Sequence, residues 1–236
     1  MKTKLIAAFI LGIFSLAFIP ARTDEQTRKV EPFTEISLRI AAKVHLEQGE
    51  KQSVVVIAKP STLDELITEV KDGKLIIRFP TKDVFWKTFQ PGEITINITV
   101  PEINGLSISG SGDIIAEDHL KTKILDMAIS GSGNIRLSDL AAERVKAAIS
   151  GSGDIVLAGK TPAQDLSVAI SGSGNLKAMD FSSDDVTAKV SGSGNVSVGA
   201  NNNLFVRLVG SGNVTYKGKP RIDSSIAGSG KVKNAN

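Results

Sequence analysis

From about residue 105 onward, apolar side chains fall on every second position, and one recurring phrase punctuates the alternation. It reads "SISGSGDII" at 107–115, "AISGSGNIRL" at 128–137, "AISGSGDIVL" at 148–157, "AISGSGNLKA" at 169–178 and "KVSGSGNVSV" at 189–198, with shorter forms at 208–216 and 226–233. Two positions before its first glycine stand Ile108, Ile129, Ile149, Ile170, Val190, Leu208 and Ile226. Four positions after it stand Ile114, Ile135, Ile155, Leu176, Val196, Val214 and Val232. The positions four and six before it are also largely apolar. A period of two is the signature of strands with one buried face. A helix competes poorly, because glycine pairs recur where its interior would have to lie.

The first glycines are Gly110, Gly131, Gly151, Gly172, Gly192, Gly210 and Gly228, so the repeat length runs 21, 20, 21, 20, 18 and 18 residues. The second glycines are Gly112, Gly133, Gly153, Gly174, Gly194, Gly212 and Gly230. A nearly fixed period of about 20 predicts a solenoid, with coils stacked about 4.8 Å apart and the glycine pairs as tight corners. A propeller blade would need about twice that length. Both glycines fall on the inward parity, where a corner leaves no room for a Cβ and where φ > 0 is tolerated. The serines beside them fall outward. The returns, such as "AEDHLKTK", "SDLAAER" and "AGKTPAQ", read as looser loops.

After each second glycine come Asp113, Asn134, Asp154, Asn175, Asn195, Asn213 and finally Lys231. Stacking places these in one column, where Asn and Asp close turns and build hydrogen-bonded ladders. A calcium column is the competing reading, but two acidic positions in seven fall short of the charged oxygens calcium needs.

The earlier half, 33–104, lacks the phrase but reads as strands, among them "KVHLEQ", "QSVVVIAK", "KLIIRF" and "EITINITV". "TEVKDGKLIIRF" reads as a degenerate coil cornered at Lys71, Asp72 and Gly73. Part of this half is expected to cap the stack, since a bare sheet edge invites aggregation. The aromatic cluster in "KDVFWKTFQPGE" (82–93) makes Phe85, Trp86 and Phe89 weak candidates for ligand contact. The competing reading is a loop packed over the wall.

The start, "MKTKLIAAFILGIFSLAFIPARTDEQ", has the charged, apolar and small-residue order of a signal peptide cut near Ala21. The organisation expected is a signal peptide (1–21), a linker (22–32) and one solenoid domain (33–234), irregular over 33–104 and regular over 105–234. No second long apolar run exists, so no transmembrane span is expected in the mature chain. The chain has no cysteine, which excludes disulfides and thiol chemistry. Its formal charge of +3 drops once Lys2 and Lys4 are removed, which argues against nucleic-acid binding.

The phrases "GEKQSVVVIAK", "ITEVKDGKLIIRF" and "ITINITVPEINGLSISGSGDI", followed by the recurring Gly-Ser-Gly-Asn phrase, resemble the bacterial head GIN domain family of auto-transporter adhesins over about residues 30–234. The resemblance implies an all-β fold, a right-handed parallel β-helix with Gly-Ser-Gly corners. It also implies export in Gram-negative bacteria and a role in adhesion.

A polysaccharide-active enzyme is the first rival, since β-helices host lyases and hydrolases. Glycoside cleavage needs two carboxylates across a cleft, and one acidic position per coil, mostly replaced by Asn, does not supply them. His45 and His119 are the only histidines, and His119 beside Glu117 and Asp118 reads as a solvated loop side chain. No catalytic residue, metal site or cofactor is assigned. The expectation is an exported, non-catalytic interaction protein in the periplasm, on the surface or outside the cell, with a structural envelope scaffold as the alternative. A glycan or an envelope or host surface protein is the expected partner, and self-association through a strand edge or flat face is open.

Overall fold

A computed structural model describes residues 23–80 and 89–236, and in it the chain forms a parallel β-solenoid of about six turns. The expected signal peptide, and Phe85 and Trp86, lie outside the described residues. The regular part runs β8 (Gly105–Gly110), β9 (Asp113–Gly131), β10 (Asn134–Gly151), β11 (Asp154–Ala158), β12 (Ala163–Gly172), β13 (Asn175–Gly192), β14 (Asn195–Gly210), β15 (Asn213–Lys217), β16 (Arg221–Gly228) and β17 (Lys231–Asn234). Each coil carries one strand segment before the Gly-Ser-Gly corner and one after it. The segments after the corner stack into sheet A, where Asn134 lies beside Asp113 and Asp154, and Ile135 beside Ile114 and Ile155. The segments before it stack into sheet B, where Ile149 lies beside Ile129 and Ile170. Like residues therefore sit on like residues, and each buried Ile, Leu or Val contributes about 1.5–3 kcal/mol of apolar burial.

The returns differ from the sequence expectation. "AEDHLKTK" and "SDLAAER" are not loops: they continue β9 and β10 as a short third side, with Asp139 beside His119 and Leu140 beside Leu120. The reason is burial, since Leu120, Leu140 and Ala142 turn inward and anchor the backbone. The return leaves the ladder around Gly159 and Pro162, between β11 and β12, and again at 218–220, between β15 and β16.

The first half supplies β1 (Asp24–Thr27), β2 (Glu35–Leu38), β3 (Lys43–Gln48), β4 (Ser53–Ala58), α1 (Pro60–Glu65), β5 (Ile67–Lys71), β6 (Lys74–Arg78) and β7 (Thr95–Val100). In sheet A, β9 is followed outward by β3 and β7 in parallel, then β4 and β1 in antiparallel pairing. In sheet B, β8 is followed by β2 and β6 in parallel and then by β5 in antiparallel pairing. The stretch at Lys71 to Gly73 is thus a hairpin and not a degenerate coil. Asp72 and Gly73 both have positive φ, +51° and +73°, the backbone of a tight two-residue hairpin turn. Arg78 Nε and Lys71 Nζ reach the Glu69 carboxylate at 3.0 and 3.2 Å. Those hydrogen bonds, Arg78 first, hold Glu69 below the usual carboxylate range. The short helix α1 has no counterpart in the sequence expectation, although Pro60 at its first turn is a recognised start signal.

Candidate binding face

The corner divides two steric demands between its glycines. The first glycines of all seven phrases have φ between +123° and +128°, a backbone that side chains other than hydrogen rarely adopt. They are not inward, as the strict alternation implied, but half-buried or exposed on the bend itself. The second glycines have no such φ; from Gly112 to Gly212 they are fully buried. A Cβ on Gly153 would strike the Gly133 carbonyl and lie 2.7 Å from Ile129 Cγ2. Corner stacks on corner: the Gly110 carbonyl accepts from Ser132 N–H and Gly133 N–H at 2.9 and 3.0 Å.

Beside the corners, Asp113, Asn134, Asp154, Asn175, Asn195 and Asn213 form one column on sheet A. Asn134 Nδ2 donates to Asp113 Oδ1 at 2.8 Å, and Asn175 Nδ2 to Asp154 Oδ1 at 2.8 Å. Asn195 and Asn213 each donate to the amide oxygen one coil below, at 2.9 and 3.0 Å. Asp154 carries no side-chain proton to donate, and its link to Asn134 is a backbone N–H at 3.3 Å. Burial raises its pKa, but hydrogen bonds from Asn175 and Lys177 together with the Lys177 charge outweigh that and hold it below the usual carboxylate range. The column thus links its side chains to one another along the rod, and its two carboxylates lie along one wall rather than across a cleft. Among the described residues no group of three or more His, Asp or Glu could hold a metal ion. His119 Nδ1 lies 3.2 Å from Asp139 Oδ2, exposed to solvent.

An open groove of about 680 Å³ lies on the outer face of sheet B. Two columns of small side chains floor it. One is the serine column Ser109, Ser130, Ser150, Ser171 and Ser191; the other is Ser107, Ala128, Ala148 and Ala169, continued by Lys189 and Arg207. The serines were legible as outward-facing. The neighbouring column does not follow from the phrase, although three positions before the first glycine the first four phrases hold Ser107, Ala128, Ala148 and Ala169. Phe89, a candidate contact residue, is partly buried against the core, its ring 5.3 Å from Phe79 in an edge-to-face arrangement.

The family model described as "Putative auto-transporter adhesin, head GIN domain" matches residues 32–220. The chain belongs to the head GIN domain family. Among solved structures it is similar to a putative adhesin from Bacteroides fragilis NCTC 9343, with 26% identity over 90% of this chain and 97% of that one, at a TM-score of 0.80. It is likewise similar to a putative lipid binding protein from Parabacteroides distasonis ATCC 8503, with 26% identity over 92% of this chain and 98% of that one, at a TM-score of 0.77. A putative adhesin from Parabacteroides merdae ATCC 43184, 20% identical over 92% of this chain and 98% of that one, shares the fold at a TM-score of 0.71. No curated protein matches the chain. In this head GIN domain chain, no helix among the described residues is long and apolar enough to cross a membrane.

Proposed function

We propose that this head GIN domain protein is an exported, non-catalytic adhesin whose binding face is the small-residue groove of sheet B. The observation that carries this reading is the groove's regularity. Ser and Ala repeat coil after coil, so an extended ligand meets the same shallow contact at intervals of about 4.8 Å. Weak contacts repeated along a rigid rod add through avidity. Such a face suits an extended glycan or peptide of an envelope or host surface, and the relative described as lipid binding adds acyl chains to the ligands worth probing. Lys189 and Arg207 at one end of the groove favour an anionic group there.

The test is a panel of immobilised glycans, mucins and acyl lipids against the wild type and Ala148→Arg. The arginine would stand outward in the groove and leave the core untouched. Lost binding with an unchanged melting midpoint supports the groove; unchanged binding removes it. A structural scaffold, the second reading, shares the regular wall and would bind nothing in the panel. Lyase and hydrolase assays on the same glycans test the enzymatic alternative, and protease accessibility on whole cells tests surface exposure.

A further inference from the structure

The last coil differs from those beneath it. Ile222, Ser224 and Ile226 hold the inward positions of β16, beside Leu204, Val206 and Leu208 of β14. Those β14 residues are fully buried, whereas Ile222 and Ile226 are 44% and 42% exposed. The inward parity that reads as core along the sequence is here an open apolar end, because no coil lies above it among the described residues. Among the described residues β16 pairs only with β14, and β17 only with β15, so no described strand covers either outer edge. Around this end stand Lys217, Lys219, Arg221, Lys231 and Lys233, all exposed, with Asp223 as the one acidic side chain in 211–236.

We propose that this end is a docking surface for an anionic lipid bilayer. It combines inward-facing apolar side chains left uncovered at the end of the rod with a rim of cations, the composition that binds interfacially to anionic headgroups. Unpaired strand-edge groups cannot enter hydrocarbon cheaply. The end therefore rests at headgroup depth, where its N–H groups donate to phosphate oxygens and Ile222 and Ile226 reach the acyl boundary. Two other occupants fit less well. A second copy docked head to head would bring two sets of cations together, and in-phase antiparallel pairing of β17 about Val232 sets Lys231 opposite Lys233. Head-to-tail stacking would bring β1, whose inward positions are Asp24 and Gln26 beside Ala58 and Val56, over Val232. This site is separate from the groove and does not depend on it.

The experiment is co-sedimentation of the chain from Arg22 onward, the mature form expected after cleavage near Ala21, with vesicles of phosphatidylcholine with or without phosphatidylglycerol. Binding is expected only with phosphatidylglycerol and is expected to weaken as salt rises. Each lysine at an anionic surface is worth about fivefold, so Lys231→Gln with Lys233→Gln is expected to weaken binding about 25-fold, and Ile222→Ser with Ile226→Ser to weaken it as well. Ala148→Arg is expected to bind vesicles as the wild type does, which separates this outcome from that of the groove. No binding at low salt, equal binding to neutral vesicles, or variants that bind like the wild type would each overturn the proposal. So would a light-scattering mass of two copies that falls to one in the isoleucine variant, since a second copy would then cover the end. Melting curves of both variants confirm that they are folded.

Discussion

At Gly110 and Gly151 the same backbone angle meets two different surroundings. Both have strongly positive φ, +123° and +126°, yet a Cβ on Gly110 would meet nothing within 4 Å, whereas one on Gly151 would strike the Gly131 carbonyl. Gly110→Ala is therefore expected to cost only backbone strain, about 1–3 kcal/mol. Gly151→Ala should cost distinctly more, because the coil below must shift as well. Melting midpoints of the two variants check the order, and equal losses would show that φ alone governs the corner. Asp154 makes a second residue-scale case. In the folded chain it is held below its ordinary pKa, so its contribution is complete above the usual Asp range, about pH 4, and is lost as pH falls from there through the depressed folded value. Lys177→Met removes the 2.9 Å contact and is expected to flatten the acid limb of midpoint against pH, leaving the neutral region little changed.

A strand's place in the stack decides what its apolar residues are worth. Ile149 and Ile226 occupy the same position of the phrase, but Ile149 is 2% exposed between Ile129 and Ile170 while Ile226, among the described residues, has a ladder neighbour on one side only. Ile149→Ala is expected to cost about 2–5 kcal/mol and Ile226→Ala less than half of that. Denaturant unfolding of the two variants checks the ratio. This difference marks how far the fold could be read from the chain alone. The strands, the corners and the column from Asp113 to Asn213 were open to a reading of alternation and period, because each recurs in the sequence itself, at every second position or about every 20 residues. Position in the stack is a tertiary property, so the open end at β16 was hidden under a core-like pattern. The Asp72–Gly73 hairpin was misread for a related reason: one glycine turn serves a coil corner or a strand reversal, and pairing partners decide which. The binding face was half legible. Its serines follow from the phrase, whereas the groove arises only when alanines from successive coils line up beside them.

For the whole rod, the repeat makes coils interchangeable wherever phase is kept. Asn134 and Asp154 are register partners, as are Gly151 and Gly172. Deleting 134–153 removes one phrase length and joins Gly133 to Asp154 without changing which side chains point inward. The shortened chain is expected to fold, with a rod shorter by about 4.8 Å by small-angle scattering. Deleting only 134–143 would remove the sheet A segment together with its return and run Gly133 straight into the sheet B segment that begins at Arg144, and is expected to yield an unfolded or aggregated chain. Nearest-neighbour stacking of this kind makes stability a sum of local terms along the axis. The column beside the corners gives that axis a direction. From Asn134 to Asn213 its side-chain and backbone donors all point toward the earlier coil, as do the corner N–H groups. A newly arriving coil thus finds its acceptors already fixed in the layer it lands on, like a course of bricks laid on set mortar, so the rod can be templated from its N-terminal end.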